Sequence, residues 1–159
     1  MNIFVLDDDP RLAAEYHCDK HCVKMILESA QMLSTVLNRG YKPTHRDHPC
    51  TLWLTESREN AEWLYELCDA LNRECQRRFN HNRNHSSWML IRDGLARHFD
   101  ELPNVPQTRF ALAMPIQYQQ HNVVQSYRDY YLNEKRGIAS WSTQPPHWWL
   151  NDAEMLVTL

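Results

Sequence analysis

The chain has 159 residues, 43% of them hydrophobic, enough for one compact domain that removes about two-thirds of its unfolded surface from water. A formal charge of −3 sets it apart from proteins that hold duplex DNA on an overall basic surface, so any contact with phosphate has to come from a local arrangement of cations. Three Gly leave few places for tight hairpins, which argues against a sheet-dominated fold, and no apolar run approaches the roughly 20 residues that span a bilayer.

Asn2 to Leu6 is a short apolar run, and Asp7-Asp8-Asp9-Pro10 supplies the acids and the proline that suit a helix entrance. Two readings of the next stretch stay open: one helix from near Arg11, or a break and a restart at Asp19, whose carboxylate can cap free N–H groups. Either way the central helix closes near Asn38-Arg39-Gly40, where Gly takes the left-handed conformation. Tyr41 to Pro49 reads as a polar loop. A second long helix runs from Cys50 or Ser57 to Phe79, on an apolar stripe of Trp53, Ala61, Leu64, Cys68, Leu71 and Cys75. After a polar link, Asn80 to His85, either Ser86 or Ser87 caps a shorter helix through Trp88, Ile91, Leu95 and Phe99. Pro103, Pro106 and Pro115 make Asp100 to Tyr118 irregular. His121 to Arg136 is a last amphipathic helix, with Val123, Tyr127, Tyr130 and Tyr131 toward its inner side, and beyond Gly137 an irregular aromatic tail runs from Trp141 to Trp149. The expected fold is all-α, a single compact helical domain over residues 1–159 with a long central helix.

Five Cys, an odd number, and a start MNIFVLDDD without the basic and apolar regions of a signal peptide indicate a reducing cytoplasm. The pairs His17/His21 and His81/His85 have a spacing that suits two metal ligands. Cys18 and Cys22, however, lie about 100° round a helix from the first pair, and no CxxC or HExxH motif is present. No metal and no other cofactor is expected.

The chemistry concentrates between His17 and Thr35. On a helix at about 100° per residue, His17, His21, Lys24, Glu28, Gln31 and Thr35 share one narrow stripe, and apolar residues from Cys22 to Leu37, Val23 and Leu27 among them, fill a wide arc round the rest. Two imidazoles, an ammonium, a carboxylate and an amide on a packed helix are titratable or polar groups in a partly dry setting, where pKa values shift. The same row facing water reduces to a Lys24–Glu28 pair worth a few tenths of a kcal/mol. His45 and His48, with Lys42 and Arg46 nearby, make a loop suited to phosphate or an ordinary polar connection. Arg73, Arg77, Arg78 and Arg83 form either a basic patch or a solvated helix end. Trp148 and Trp149 either stack on bases, at about 1–3 kcal/mol per base, or staple the tail to the helices.

The segment Asp19-Lys20-His21-Cys22-Val23-Lys24-Met25-Ile26-Leu27-Glu28 resembles the first helix of the pyrimidine-dimer DNA glycosylases of the phage endonuclease V type, in its acid-x-His start and in the Glu further along the same face. In matching order follow the closure at Asn38-Arg39-Gly40, the His48-Pro49 helix entry, Arg73 to Phe79, and Pro146-His147-Trp148-Trp149. The resemblance implies an all-helical fold, damaged or modified DNA as substrate, and a glycosylase with abasic-site lyase activity. In that chemistry an amine attacks C1′ of the sugar, the base leaves, and a Schiff base permits strand cleavage, with a helix-borne Glu assisting. Glu28 stands at the matching position, and the amine would be that of Met1 or Lys24. On this reading His21 and Gln31 position the substrate with His17, His45 and His48 around them, Arg77 and Arg78 meet phosphate, Trp148 or Trp149 stacks, and the target base is flipped out of the duplex. The same residues also fit a non-catalytic binder of a free or signalling nucleotide, or a helical adaptor that engages a protein partner through exposed Trp and Tyr.

Overall fold

Pro10 opens the first helix, since its missing N–H is one of the donors a helix start leaves unpaired anyway, and Asp9 caps it by accepting from the Arg11 amide. In the computed structural model, which describes residues 1–149, six α-helices follow: α1 (Pro10–Tyr16), α2 (Asp19–Leu37), α3 (Pro49–Leu54), α4 (Arg58–Arg78), α5 (Ser86–Asp93) and α6 (Val123–Glu134). Two 3-10 segments, Leu95–Glu101 and Ile116–Tyr118, complete the regular structure, and the described residues contain no strand. The class is all-α, as expected. The last ten residues of the expected domain, 150–159, lie outside the described residues.

Of the two openings the sequence left available, the chain takes the break. His17 and Cys18 are extended, with ψ of 134° and 162°, so His17 is not on the central helix. The carbonyls exposed at the end of α1 are taken by Arg78, whose guanidinium donates to Glu15 O at 2.9 Å and His17 O at 2.7 Å. Glu74 and Asp19 balance that buried charge at 2.9 and 3.2 Å. A cation buried this deeply persists because it is both paired and fully hydrogen-bonded.

Helix α2 packs against α3, α4 and α5. Its buried side differs from the one the pattern predicts: Val23 and Leu27 are exposed, whereas Glu28, on the polar stripe, is 6% exposed. The cause is cover from elsewhere, because the buried, irregular segment from Asn2 to Leu6 lies over that stripe and α6 lies beyond it. Asn38 closes α2 in the left-handed region with φ 54°, and Gly40 follows at φ 77°. A Cβ at Gly40 would stand 2.7 Å from Ser34 Oγ, so the turn needs glycine.

The expected second helix is two. It stops at Leu54 and restarts at Arg58 with Ser57 as cap, the Ser57 hydroxyl accepting from the Glu59 amide while donating to Val105 O. Likewise the helix expected through Phe99 is α-helical only to Asp93 and tightens into the 3-10 segment after Gly94; its cap is the His85 ring, not Ser86 or Ser87. The aromatic tail is tied down at three points: Trp141 Nε1 donates to Tyr16 O at 3.2 Å, Ser142 N to Asp19 Oδ1 at 3.0 Å, and Asp19 N to Ser140 O at 2.8 Å. No described helix is long and apolar enough to cross a membrane, and all five Cys are free thiols.

Candidate active site

Glu28 projects from the middle of α2 under the amino-terminal segment. Its Oε1 accepts from the Asn2 amide at 3.1 Å and lies 3.1 Å from the Met1 amino group; its Oε2 lies 3.7 Å from Lys24 Nζ. The segment is anchored so that its first amine falls there: Asn2 Nδ2 donates to Ala113 O at 2.8 Å, and Leu6 O accepts from Arg128 Nε at 2.9 Å. The groups surround a cavity of about 110 Å³ whose wall includes Met1, His21, Lys24, Glu28, Tyr130 and Lys135. Glu28 is nearly excluded from water, while Lys24 is 62% exposed at the rim. A buried carboxylate within reach of a primary amine can take a proton from it or return one to a leaving group, the arrangement that nucleophilic amine chemistry needs.

His21 forms a second side of the cavity. Its ring stacks on Phe4 at 4.5 Å and 14°, and Nδ1 meets the Tyr131 hydroxyl at 2.6 Å. Burial, reinforced by the charges of His17, Lys135, Lys24 and Lys20, pushes its pKa down to about 3, so the imidazole is neutral at pH 7. Tyr131 is fully buried and its hydroxyl also lies 3.4 Å from the Cys18 amide. Burial raises the Tyr131 pKa well above 10, so the phenol stays protonated and holds its hydrogen bonds.

His17 belongs to the core. Nδ1 donates to Ala13 O at 2.6 Å, Nε2 has no partner, and burial lowers its pKa to about 4. Gln31 lies one turn beyond Glu28 on α2 and faces a separate open cleft of about 550 Å³ with Leu27, Tyr41, Lys42 and Thr44. His48 is the cap of α3, accepting from Cys50 N at 3.1 Å, and its pKa is lowered by burial and then by the charge of the Met1 amine, which places the ring beside that amine. His45 is exposed and bonds Thr44 Oγ1.

Arg78 is occupied by protein groups and completely buried, so it ties α1, α2 and α4 together instead of meeting phosphate. Arg77 is 57% exposed and paired with Glu74 at 2.7 Å. Trp148 and Trp149 are half-buried and packed: Trp148 against Tyr16 and Tyr131, Trp149 against Trp141 at 4.9 Å, with Arg128 and Arg136 over their faces. None of the six Trp and seven Tyr is exposed, which leaves the adaptor reading without its aromatic surface. The His81 and His85 rings each accept a backbone amide, from Arg83 and Ser87, and no group of three or more potential metal-ligating side chains gathers among the described residues.

The structure thus brings Met1, His21, Lys24 and Glu28 together, places His48 next to them, and sets His17, Gln31, His45, Arg77, Arg78, Trp148 and Trp149 elsewhere. It adds Asn2, Phe4, Tyr130, Tyr131 and Lys135. The inner side of the last amphipathic helix marks Tyr130 and Tyr131 as packed residues, but no local pattern directs them, or Lys135, to this cavity. The family model for pyrimidine dimer DNA glycosylase matches residues 1–87. No curated protein and no solved structure matches the chain.

Proposed function

We propose, for a chain that belongs to the pyrimidine dimer DNA glycosylase family, that it cleaves the N-glycosidic bond of a damaged or modified pyrimidine in DNA and then opens the strand at the abasic sugar. The observation that carries this reading is the 3.1 Å approach of the Met1 amine to the buried Glu28 carboxylate inside a cavity. Met1 is favoured over Lys24 as nucleophile because its amine lies closer to Glu28 and is enclosed, whereas Lys24 is solvated at the rim.

In this mechanism Glu28 takes a proton from the amine, the amine attacks C1′, and the bond from C1′ to the base breaks as the base leaves with a proton. Expulsion of the sugar-ring oxygen gives an imine between Met1 and C1′. Loss of a C2′ proton then drives elimination of the 3′ phosphate, and Glu28 is placed to carry protons in both steps. His21, neutral and clamped by Phe4 and Tyr131, orients the sugar without adding charge.

The test is borohydride trapping on duplexes that carry an abasic site or a pyrimidine dimer. The wild-type chain is expected to form a reduced covalent adduct; Lys24→Ala should retain it, blocking of the Met1 amine should abolish it, and Glu28→Gln should slow it by about 10²–10⁴-fold. Absence of both adduct and strand cleavage on these substrates would sink the reading. The −3 charge favours one alternative, a non-catalytic binder of a free nucleotide, which would show a ligand-induced thermal shift without any adduct.

A further inference from the structure

Five thiols are buried in this chain, and two of them face each other. Helix α2 packs on α4, and where the two meet Cys75 Sγ lies 3.4 Å from Cys22 Sγ, across 53 positions of sequence. Cys22 is fully buried, and its thiol donates to Leu71 O at 3.5 Å. Cys75 keeps 5% of its surface and stands in the wall of an open cavity of about 250 Å³, beside Phe79, His81 and Arg83. This cavity shares no residue with the one around Glu28, so the reading of that site does not absorb it.

A buried thiol is ordinarily a small core residue. Cys50 and Cys68 fit that role, since burial raises their thiols to about 11 and about 12. Cys75 departs from it: the hydrogen bond with Cys22 lowers its pKa, and the charge of Arg78 lowers it further, against the effect of burial. The same hydrogen bond, together with burial, raises the thiol of Cys22. The pair therefore splits into one sulfur that a solute in the cavity can reach, inclined to the thiolate, and one shielded sulfur that keeps its proton, the division that separates an attacking from a resolving thiol. Bringing the sulfurs to the roughly 2.05 Å of a disulfide needs an approach of about 1.4 Å, which two small side-chain rotations share.

We propose that Cys75 and Cys22 are a peroxide-reactive dithiol, a modification site that closes to a disulfide between α4 and α2. The Cys75 sulfur attacks one oxygen of hydrogen peroxide; the O–O bond breaks, the Cys75 proton leaves with the departing hydroxide as water, and Cys75 becomes a sulfenic acid. The Cys22 sulfur then attacks that of Cys75. The S–S bond forms, the S–O bond breaks, and the hydroxide leaves as a second water with the Cys22 proton. Both sulfurs are oxidised and the peroxide is reduced. The bond ties α2 to α4 next to His21, and a small thiol reverses it.

Thiol counting on the full chain tests it. The protein is reduced, desalted, treated with hydrogen peroxide under native conditions, then denatured and alkylated. Wild type should lose two of its five alkylatable thiols, peptide mapping should join the Cys22 peptide to the Cys75 peptide, and dithiothreitol should restore both. Cys68→Ala should cross-link as wild type does. Cys22→Ser should stop at a sulfenic acid on Cys75, captured by dimedone, and Cys75→Ser should leave Cys22 unmodified. Five alkylated thiols in peroxide-treated wild type, a disulfide mapped to another pair, or a Cys22–Cys75 bond that forms only in urea overturns the proposal. These outcomes are read on the wild-type chain and so decide it even where a variant fails to fold. Dimedone capture at Cys22 in Cys75→Ser would overturn the assignment of Cys75 as the sulfur that meets the peroxide.

Discussion

Residues 1–87 and residues 88–149 contribute different things to one cavity. The first region carries the groups to which the proposed mechanism assigns the chemistry, Met1, Lys24 and Glu28, on an irregular amino-terminal segment and a long helix joined by the hydrogen bond from Asn2 N to Glu28. The second carries the surroundings: Tyr131 fixes His21, Tyr130 and Lys135 form the wall, and Arg128 grips Leu6 O at 2.9 Å and Asp7 at 3.1 Å. The proposed reacting groups and their enclosure are therefore separable in sequence, and the match that ends at residue 87 includes Met1, Lys24 and Glu28 but leaves out Tyr130, Tyr131 and Lys135, which enclose them. Tyr131 joins the two regions beside the cavity, through His21 and the Cys18 amide. Tyr131→Ala is expected to lower stability by about 3–5 kcal/mol, as for other buried aromatic truncations. Tyr131→Phe should cost about 1–3 kcal/mol because it leaves His21 Nδ1 and the Cys18 amide without a partner. Chemical denaturation measures both; equal stability of Tyr131→Phe and wild type would show that the hydroxyl does not hold the two regions together.

Acid should loosen the same seam by a smaller amount. His17 and His21 have folded pKa values near 4 and 3, below the ordinary value of 6.5, chiefly because burial penalises their charged forms. Below pH 6.5 the unfolded chain binds protons that the folded chain refuses. Stability therefore falls as pH drops from about 6.5, and continues to fall until each group protonates in the folded state. Between pH 7.5 and pH 5 this amounts to about 2 kcal/mol for each histidine. His48 and His85 shift in the same direction. Urea unfolding at the two pH values checks the sign, and His17→Asn should make the dependence shallower by one proton. A chain more stable at pH 5 than at pH 7.5 would contradict the buried neutral state of these rings.

The same division explains what was legible in the sequence. Helix α2, its closure at Asn38 and the Lys24–Glu28 adjacency follow from local spacing and turn chemistry, so the core of the site could be read from one segment. His17 could not be placed, because local signals allow both a continuous helix and a restart at Asp19, and the break between α1 and α2 is held by Arg78, more than sixty positions away. Arg78 itself looked like a surface cation for the same reason: its partners, the carbonyls of α1 and the carboxylates of Glu74 and Asp19, meet only in three dimensions. Glu28 read as one of a polar row, and its burial comes from Asn2 to Leu6 and α6 folding over a stripe that a solitary helix would leave in water. Tyr131 and Lys135 were beyond reach because the contact with His21 spans 110 positions, and no periodicity within α6 encodes which helix it covers.

The tail gives the mildest test. Trp148 lies edge-on to Tyr16 at 5.9 Å, near Tyr131 at 6.2 Å, with the Arg128 guanidinium 5.5 Å from its ring, and it is not in the wall around Glu28. If its work is to staple the second region onto the first, Trp148→Ala should cost about 1 kcal/mol, the sum of partial burial and a cation–π contact. Affinity for an abasic duplex should then change by less than about twofold, because such a loss falls on folding and not on binding. A base stacked on this ring would instead cost about 1–3 kcal/mol of affinity, with the salt slope unaltered because stacking releases no counterions. The pair of measurements separates the outcomes cleanly: a stability loss with unchanged affinity keeps Trp148 with the scaffold, and an affinity loss at constant salt slope would move it into the substrate path and extend the second region's share of the site from its enclosure to the base.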